Sequence, residues 1–101
     1  MNRLTFACLA ALALAAGPAA AQDPNQARNL AATCANCHGT NGHAVPGAGM
    51  AAIAGQPKET IVQRLQEFRA GKREATVMHQ IAKGYTDAQV ELLAAWFAAQ
   101  K

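Results

Sequence analysis

Aromatic side chains are scarce in this chain of 101 residues: three Phe, one Tyr and one Trp, and one of the five, Phe6, lies in an N-terminal stretch that reads as a leader. So few large rings make a thin core for an independent domain of this size, and something else must fill it. Acidic residues are also few, six against nine Lys and Arg, for a formal charge of +3 that includes Arg3. Lys58, Arg64, Arg69, Lys72, Arg73 and Lys83 are spread among Glu59, Glu67 and Glu74. That mixture is a solvated surface with a weak preference for acidic partner proteins, and it excludes a nucleic-acid-binding stripe. No stretch alternates apolar and polar residues as a half-buried strand does, so the expected fold class is all-α.

Long hydrophobic runs are absent except at the start. Asn2 and Arg3 precede an apolar run over residues 4–16, and Ala19-Ala20-Ala21 supplies small residues at a cleavage position. This is the pattern of a secretory signal peptide over residues 1–21, leaving a domain of residues 22–101. An uncleaved anchor fits less well, because the apolar core is short and closes on Gly17-Pro18. Acylation at Cys8 fits poorly too, with too little chain ahead of it for a positive start and an apolar core. The expected location is a bacterial periplasm or an equivalent oxidising space, without stable membrane insertion after cleavage.

Cysteine is limited to Cys8, Cys34 and Cys37. The last two form Cys34-Ala35-Asn36-Cys37-His38, the attachment pattern of c-type haem, in which both sulfurs join the porphyrin vinyl groups and the imidazole takes an axial site on iron. On a helical turn residues i and i+3 share a face, so both sulfurs reach one edge of a flat ring, and His38 is then held against the metal. Three other uses of the pair are weaker. A thioredoxin-like disulfide wants a βαβ frame that is missing. A structural zinc site wants four ligands, which His43 and His79 could complete only on paper. A Cys34–Cys37 disulfide closes too small a loop to staple a fold. One covalent haem c would also supply the interior that the aromatic count denies the chain.

The remaining chain reads as helices and one long loop. Asp23-Pro24 suggests an N-cap followed by proline at the first helical position, and Ala27, Leu30, Ala31 and Cys34 recur at helical spacing into the motif. Gly39-Thr40-Asn41-Gly42 ends that helix, and a Gly-, Ala- and Pro-rich loop continues to Gln56. Pro57 opens a second helix bearing Ile61, Leu65 and Phe68 on one face, with Gly71 as its stop. A short helix is expected around Met78 and Ile81, closed by Gly84. Thr86-Asp87-Ala88-Gln89 forms a capping box ahead of a last helix with Val90, Leu93, Ala94 and Phe97 on one face, widened by Leu92 and Trp96.

With His38 on one side of iron, Met78 is the candidate for the other, since a thioether opposite histidine raises a haem potential and suits an outer-sphere carrier. Met50 in the loop and His79 beside Met78 are rival ligands, while His43 reads as an exposed loop residue. An open sixth site would instead indicate a ligand sensor or a peroxidase.

These residues resemble the class I c-type cytochromes. The resemblance runs through Cys34-Ala35-Asn36-Cys37-His38-Gly39, Thr40-Asn41-Gly42, Ile53-Ala54-Gly55-Gln56, Thr76-Val77-Met78 and Trp96-Phe97. More narrowly, Ile81-Ala82-Lys83-Gly84-Tyr85-Thr86-Asp87 is similar to the cytochrome subunit of flavocytochrome c sulfide dehydrogenase and related di-haem carriers. The resemblance implies three to four helices around one haem, with first and last helices crossing at small residues. It implies Cys34 and Cys37 as thioethers, His38 as proximal and Met78 as distal iron ligand. A loop proline carbonyl, with Pro46 the nearest, would accept the second N–H of His38. The implied role is electron transfer and not enzyme catalysis, either as a free carrier or as the haem subunit of a dehydrogenase, with redox proteins such as a flavoprotein subunit as partners.

Overall fold

Thr86 and Gln89 exchange bonds at the start of the last helix: Thr86 Oγ1 accepts the Gln89 amide at 3.2 Å and Gln89 Oε1 accepts the Thr86 amide at 2.9 Å. This is the capping box expected from the sequence, and it satisfies two backbone donors that the helix start would otherwise leave bare. The structure, a computed structural model, describes residues 23–101; the leader expected over residues 1–21 lies outside them. Five helices follow in order: α1 (Gln26–Ala32), α2 (Ala35–His38), α3 (Lys58–Arg69), α4 (Met78–Lys83) and α5 (Asp87–Ala98). A 3-10 turn (Thr40–Gly42) follows α2, and no strand occurs among the described residues.

The first helix begins later than Asp23-Pro24 suggests. Asp23 Oδ1 accepts the Asn25 amide at 2.8 Å and the Asp23 carbonyl accepts the Gln26 amide at 3.0 Å. An Asp side chain that satisfies the donor two residues on builds a turn in place of a cap, so the helix starts at Gln26.

At the far end of α3 the sequence expectation holds in detail. The Gly71 amide donates to Phe68 O at 3.1 Å and the Lys72 amide to Glu67 O at 2.9 Å, with Gly71 at φ +71°. These are the two bonds of a Schellman motif, which needs a left-handed residue and so favours glycine.

α1 and α3 pack on α5. Ala31, Ile61, Leu93, Ala94 and Phe97 form a buried cluster, with Leu30, Cys34, Ile53, Tyr85 and Trp96 packed against it. Alanine on both α1 and α5 lets those two helices approach closely, as the resemblance implies. The cluster contains one aromatic ring that is fully buried, Phe97, which agrees with the thin core read from composition.

The long loop is anchored by the backbone at two points. Ile53 and Ala54 amides both donate to Gly42 O, at 3.0 and 3.1 Å, and the Gly55 amide donates to Phe97 O at 2.8 Å. A polar chain reversal without helix or strand is thereby satisfied and fixed to α5.

Candidate haem-attachment site

Cys34, Cys37 and His38 occupy one helical turn. Cys37 and His38 amides both donate to Cys34 O, at 3.3 and 2.9 Å. Both sulfurs are free thiols, with Cys34 half-buried against the core cluster and Cys37 exposed. Burial pushes the Cys34 thiol above its ordinary value; a contact with Thr33 opposes the shift and the neighbouring Cys37 adds to it.

The chain must turn sharply after His38, and Gly39 makes this turn at φ +80°. A Cβ there would lie 1.8 Å from the His43 carbonyl oxygen, so only glycine fits. The reversal brings residues 43–54 back beside the motif, where His38 Nδ1 donates to Ala51 O at 2.6 Å. A carbonyl can only accept, so this bond places the proton of neutral imidazole on Nδ1 and leaves the Nε2 lone pair for a metal. The acceptor is Ala51 and not Pro46: the Gly42 anchor of Ile53 and Ala54 draws the end of the loop, not its Pro46 bend, to the imidazole.

Two side chains brace the carbonyl next to that acceptor. Gln56 Nε2 donates to Ala52 O at 2.5 Å, and Arg64 Nη1, from α3, donates to Gln56 Oε1 at 2.6 Å.

Met78 is the first residue of α4 and is partly buried. Among the rival ligands, Met50 is 40% exposed, and His79 has its Nδ1 buried without a hydrogen-bond partner. His43 is exposed, as expected. Among the described residues no three His, Cys, Asp or Glu side chains gather as a metal site, so His43 and His79 do not complete a zinc set with the cysteines.

The residues present fit an iron porphyrin. Two free thiols share a turn with an imidazole whose second nitrogen is already engaged, and a thioether is available on α4. Among the described residues, the large apolar side chains left exposed are Val45 and Met50 in the loop and Val77 and Ile81 flanking Met78. Apolar surface displayed on both the loop and the α4 segment is what a large flat cofactor would cover. A cleft of about 250 Å³ between α3 and α5, bordered by Lys58, Gln63 and Glu91, includes none of these residues.

Some of the site was beyond sequence reading. The Ala51 carbonyl is a backbone group and carries no residue signature, and the Arg64–Gln56 brace joins two ordinary polar residues across a turn. Gln56 closing Ile53-Ala54-Gly55-Gln56 is the one signal that could have drawn notice to it.

Comparison with known proteins gives a consistent result. The family model for cytochrome c matches residues 25–101. The chain is 40% identical over 68 residues to the cytochrome subunit of sulfide dehydrogenase of Chlorobaculum tepidum, covering 67% of this chain and 60% of that protein. It is 37% identical to the thiosulfate dehydrogenase electron acceptor of Thiomonas intermedia, over 97% of this chain and 43% of the other, and 31% identical to cytochrome c4 of Pseudomonas aeruginosa, over 100% and 50%. The chain therefore spans roughly half the length of these relatives. The solved cytochrome c4 of Acidithiobacillus ferrooxidans superimposes with a TM-score of 0.65 at 27% identity, covering 98% of this chain and 65% of that one. No helix among the described residues is long and apolar enough to cross a membrane. Motif, all-helical fold and the family match over residues 25–101 together make this chain a class I c-type cytochrome, a member of a family defined by covalently bound haem c.

Proposed function

We propose that the chain is a periplasmic one-electron carrier with a single haem c, exported by a signal peptide cleaved after Ala21. Cys34 and Cys37 form the thioethers, His38 Nε2 is the proximal ligand and Met78 sulfur the distal one. The observation that carries this reading is the 2.6 Å bond from His38 Nδ1 to Ala51 O, made on the same turn as two free thiols. It orients the ring and sets the tautomer that leaves Nε2 to face a metal, as the hydrogen-bond partners of metal-bound histidines do.

The haem, when bound, supplies the ferric–ferrous couple. The chain's own residues set its surroundings. The Ala51 carbonyl increases the electron donation of His38 by accepting a hydrogen bond from its Nδ1–H. The braced loop and the Gly55–Phe97 bond keep that carbonyl in place. Met78 on α4 provides a soft donor that favours the reduced state and raises the potential. Cys37 is exposed, so a haem held there would have its thioether side near solvent, and weak redox encounters need only a small interface.

A second reading makes the chain the haem subunit of a dehydrogenase, and the names of two relatives favour it: one is a subunit of sulfide dehydrogenase and another a thiosulfate dehydrogenase electron acceptor. Gel filtration of undissociated native material separates the two, since a lone small species argues against a permanent subunit.

The test of the shared reading is a mass measurement and visible spectrum of the secreted protein. A mass of residues 22–101 plus one haem, with a reduced spectrum of c type, is expected. A colourless product of haem-free mass from a host competent in cytochrome c maturation would refute it. Met78→Ala should abolish the weak long-wavelength ferric band of methionine ligation and lower the potential; an unchanged spectrum would transfer the role to Met50 or His79.

A further inference from the structure

α4, which carries Met78, has six residues, and such a helix does not hold its place unaided in water. Its one buried residue is Ala82. The helix packs against α3, while residues 71–74, between the two helices, are exposed and outside regular structure. Side-chain hydrogen bonds add fixed points at its C-terminal end, in the turn between α4 and α5.

Two side chains pin that turn. Arg69, from α3, donates through Nη2 to Tyr85 O at 2.7 Å and through Nη1 to Asp87 Oδ1 at 2.5 Å. The Tyr85 hydroxyl lies 3.0 Å from Thr33 Oγ1. Thr33 spends its one proton on Leu30 O at 2.9 Å, so Tyr85 is the donor and Thr33 the acceptor in their bond. Thr33 directly precedes Cys34. A continuous set of hydrogen bonds thus runs from α3 through Tyr85 to the residue beside the first attachment cysteine, across 52 positions of sequence.

We propose that Tyr85 is a positioning residue for the sixth iron ligand: its phenol fastens the C-terminal end of α4 to the haem-attachment segment at Thr33, and so holds Met78 in reach of the metal. This rests on the assignment of Met78 as distal ligand. With Met78 as sixth ligand, an external ligand would enter only in its place, and displacing Met78 would shift α4, whose first residue it is. That movement breaks the Tyr85–Thr33 bond, so the bond opposes ligand entry by its own contribution. Removing it should raise the population of the open form, and the apparent affinity for an entering ligand rises by the same factor.

Imidazole titration of the ferric holoprotein, followed by the long-wavelength band and the Soret maximum, tests this. Tyr85→Phe and Thr33→Val are each expected to bind imidazole about fivefold more tightly than wild type, the factor for one ordinary hydrogen bond, and the double variant no more tightly than either single one. Affinity within about twofold of wild type in Tyr85→Phe overturns the proposal, even with a lowered urea midpoint, because a purely structural role moves stability and not ligand exchange. Single effects that multiply in the double variant also overturn it. If Thr33→Val does not attach haem, Tyr85→Phe alone decides. Met78→Ala is the separate control: a spectrum identical to wild type there refutes the ligand assignment itself, whatever Tyr85→Phe does.

Discussion

Arg64 Nη1 donates to Gln56 Oε1 at 2.6 Å, and Gln56 passes the constraint on to Ala52 O through its own amide. A residue of α3 thereby fixes the loop one position away from the carbonyl that orients His38. Replacing Gln56 by Leu removes both bonds and leaves a half-buried guanidinium without its acceptor. A loss of about 1–3 kcal/mol is expected, the usual cost of stranding a polar partner. Urea unfolding of the ferric holoprotein measures it, and an unchanged midpoint would show that the brace contributes nothing.

Gly39 and Gly47 both sit at φ +80°, but only Gly39 is crowded. A Cβ at Gly39 meets the His43 carbonyl oxygen at 1.8 Å, whereas at Gly47 nothing lies within 4 Å. Gly47→Ala should therefore cost only backbone strain, about 1–2 kcal/mol. Gly39→Ala should cost well over about 3 kcal/mol, as strain and a backbone collision add. The yield of haem-attached protein from periplasmic extracts distinguishes them: near normal for the first and close to background for the second. Equal yields would remove the argument that this glycine enforces the turn behind His38.

The contrast between what was legible and what was not follows the range of the interactions. The α5 capping box, the Gly71 stop of α3 and the attachment turn depend on residues within a few positions of one another, and local chemistry settles them. Asp23 misled because its carboxylate has two local uses, cap and turn, and the Asn25 amide took it first. The acceptor for His38 was misplaced for a different reason. Which carbonyl reaches the ring depends on where Gly42 anchors the returning chain, and the residue type at position 51 says nothing of that. In the sequence Arg69 reads as solvated surface, and Tyr85 enters only within the stretch Ile81-Ala82-Lys83-Gly84-Tyr85-Thr86-Asp87. Their roles appear only when α1, α3 and α5 are assembled.

Phe97 joins the core to the loop twice, through its ring and through its carbonyl. The side chain is buried, and the Phe97 carbonyl holds the Gly55 amide at 2.8 Å. Its ring also lies against Gly42, where a Cβ would approach Phe97 Cδ1 to 2.9 Å. Phe97→Ala opens a cavity in a core whose one buried ring among the described residues is Phe97, and a loss of about 3–5 kcal/mol is expected. Thermal unfolding of the holoprotein should show a large fall in Tm. A change of under about 1 kcal/mol would mean that the bound cofactor, and not Phe97, dominates the packing of α5.

Glu67 links stability to pH. The Gln63 amide, donating to Glu67 Oε1 at 2.8 Å, holds its carboxyl below the usual range, and Arg73, through Nε at 2.9 Å and Nη2 at 2.8 Å from Oε2, lowers it further. A carboxyl whose folded value is depressed binds its proton more readily in the unfolded chain. Its contribution is therefore complete above the unfolded value and is lost as pH falls through the folded one. Glu67→Gln removes the titration while keeping the shape. The difference in urea midpoint between wild type and Glu67→Gln should be greatest near neutral pH, shrink below the ordinary carboxylate range, and diminish with added salt because the group is close to solvent. A difference that stays constant from pH 7 to about pH 3 would show that the depressed carboxyl is not what Arg73 and Gln63 stabilise.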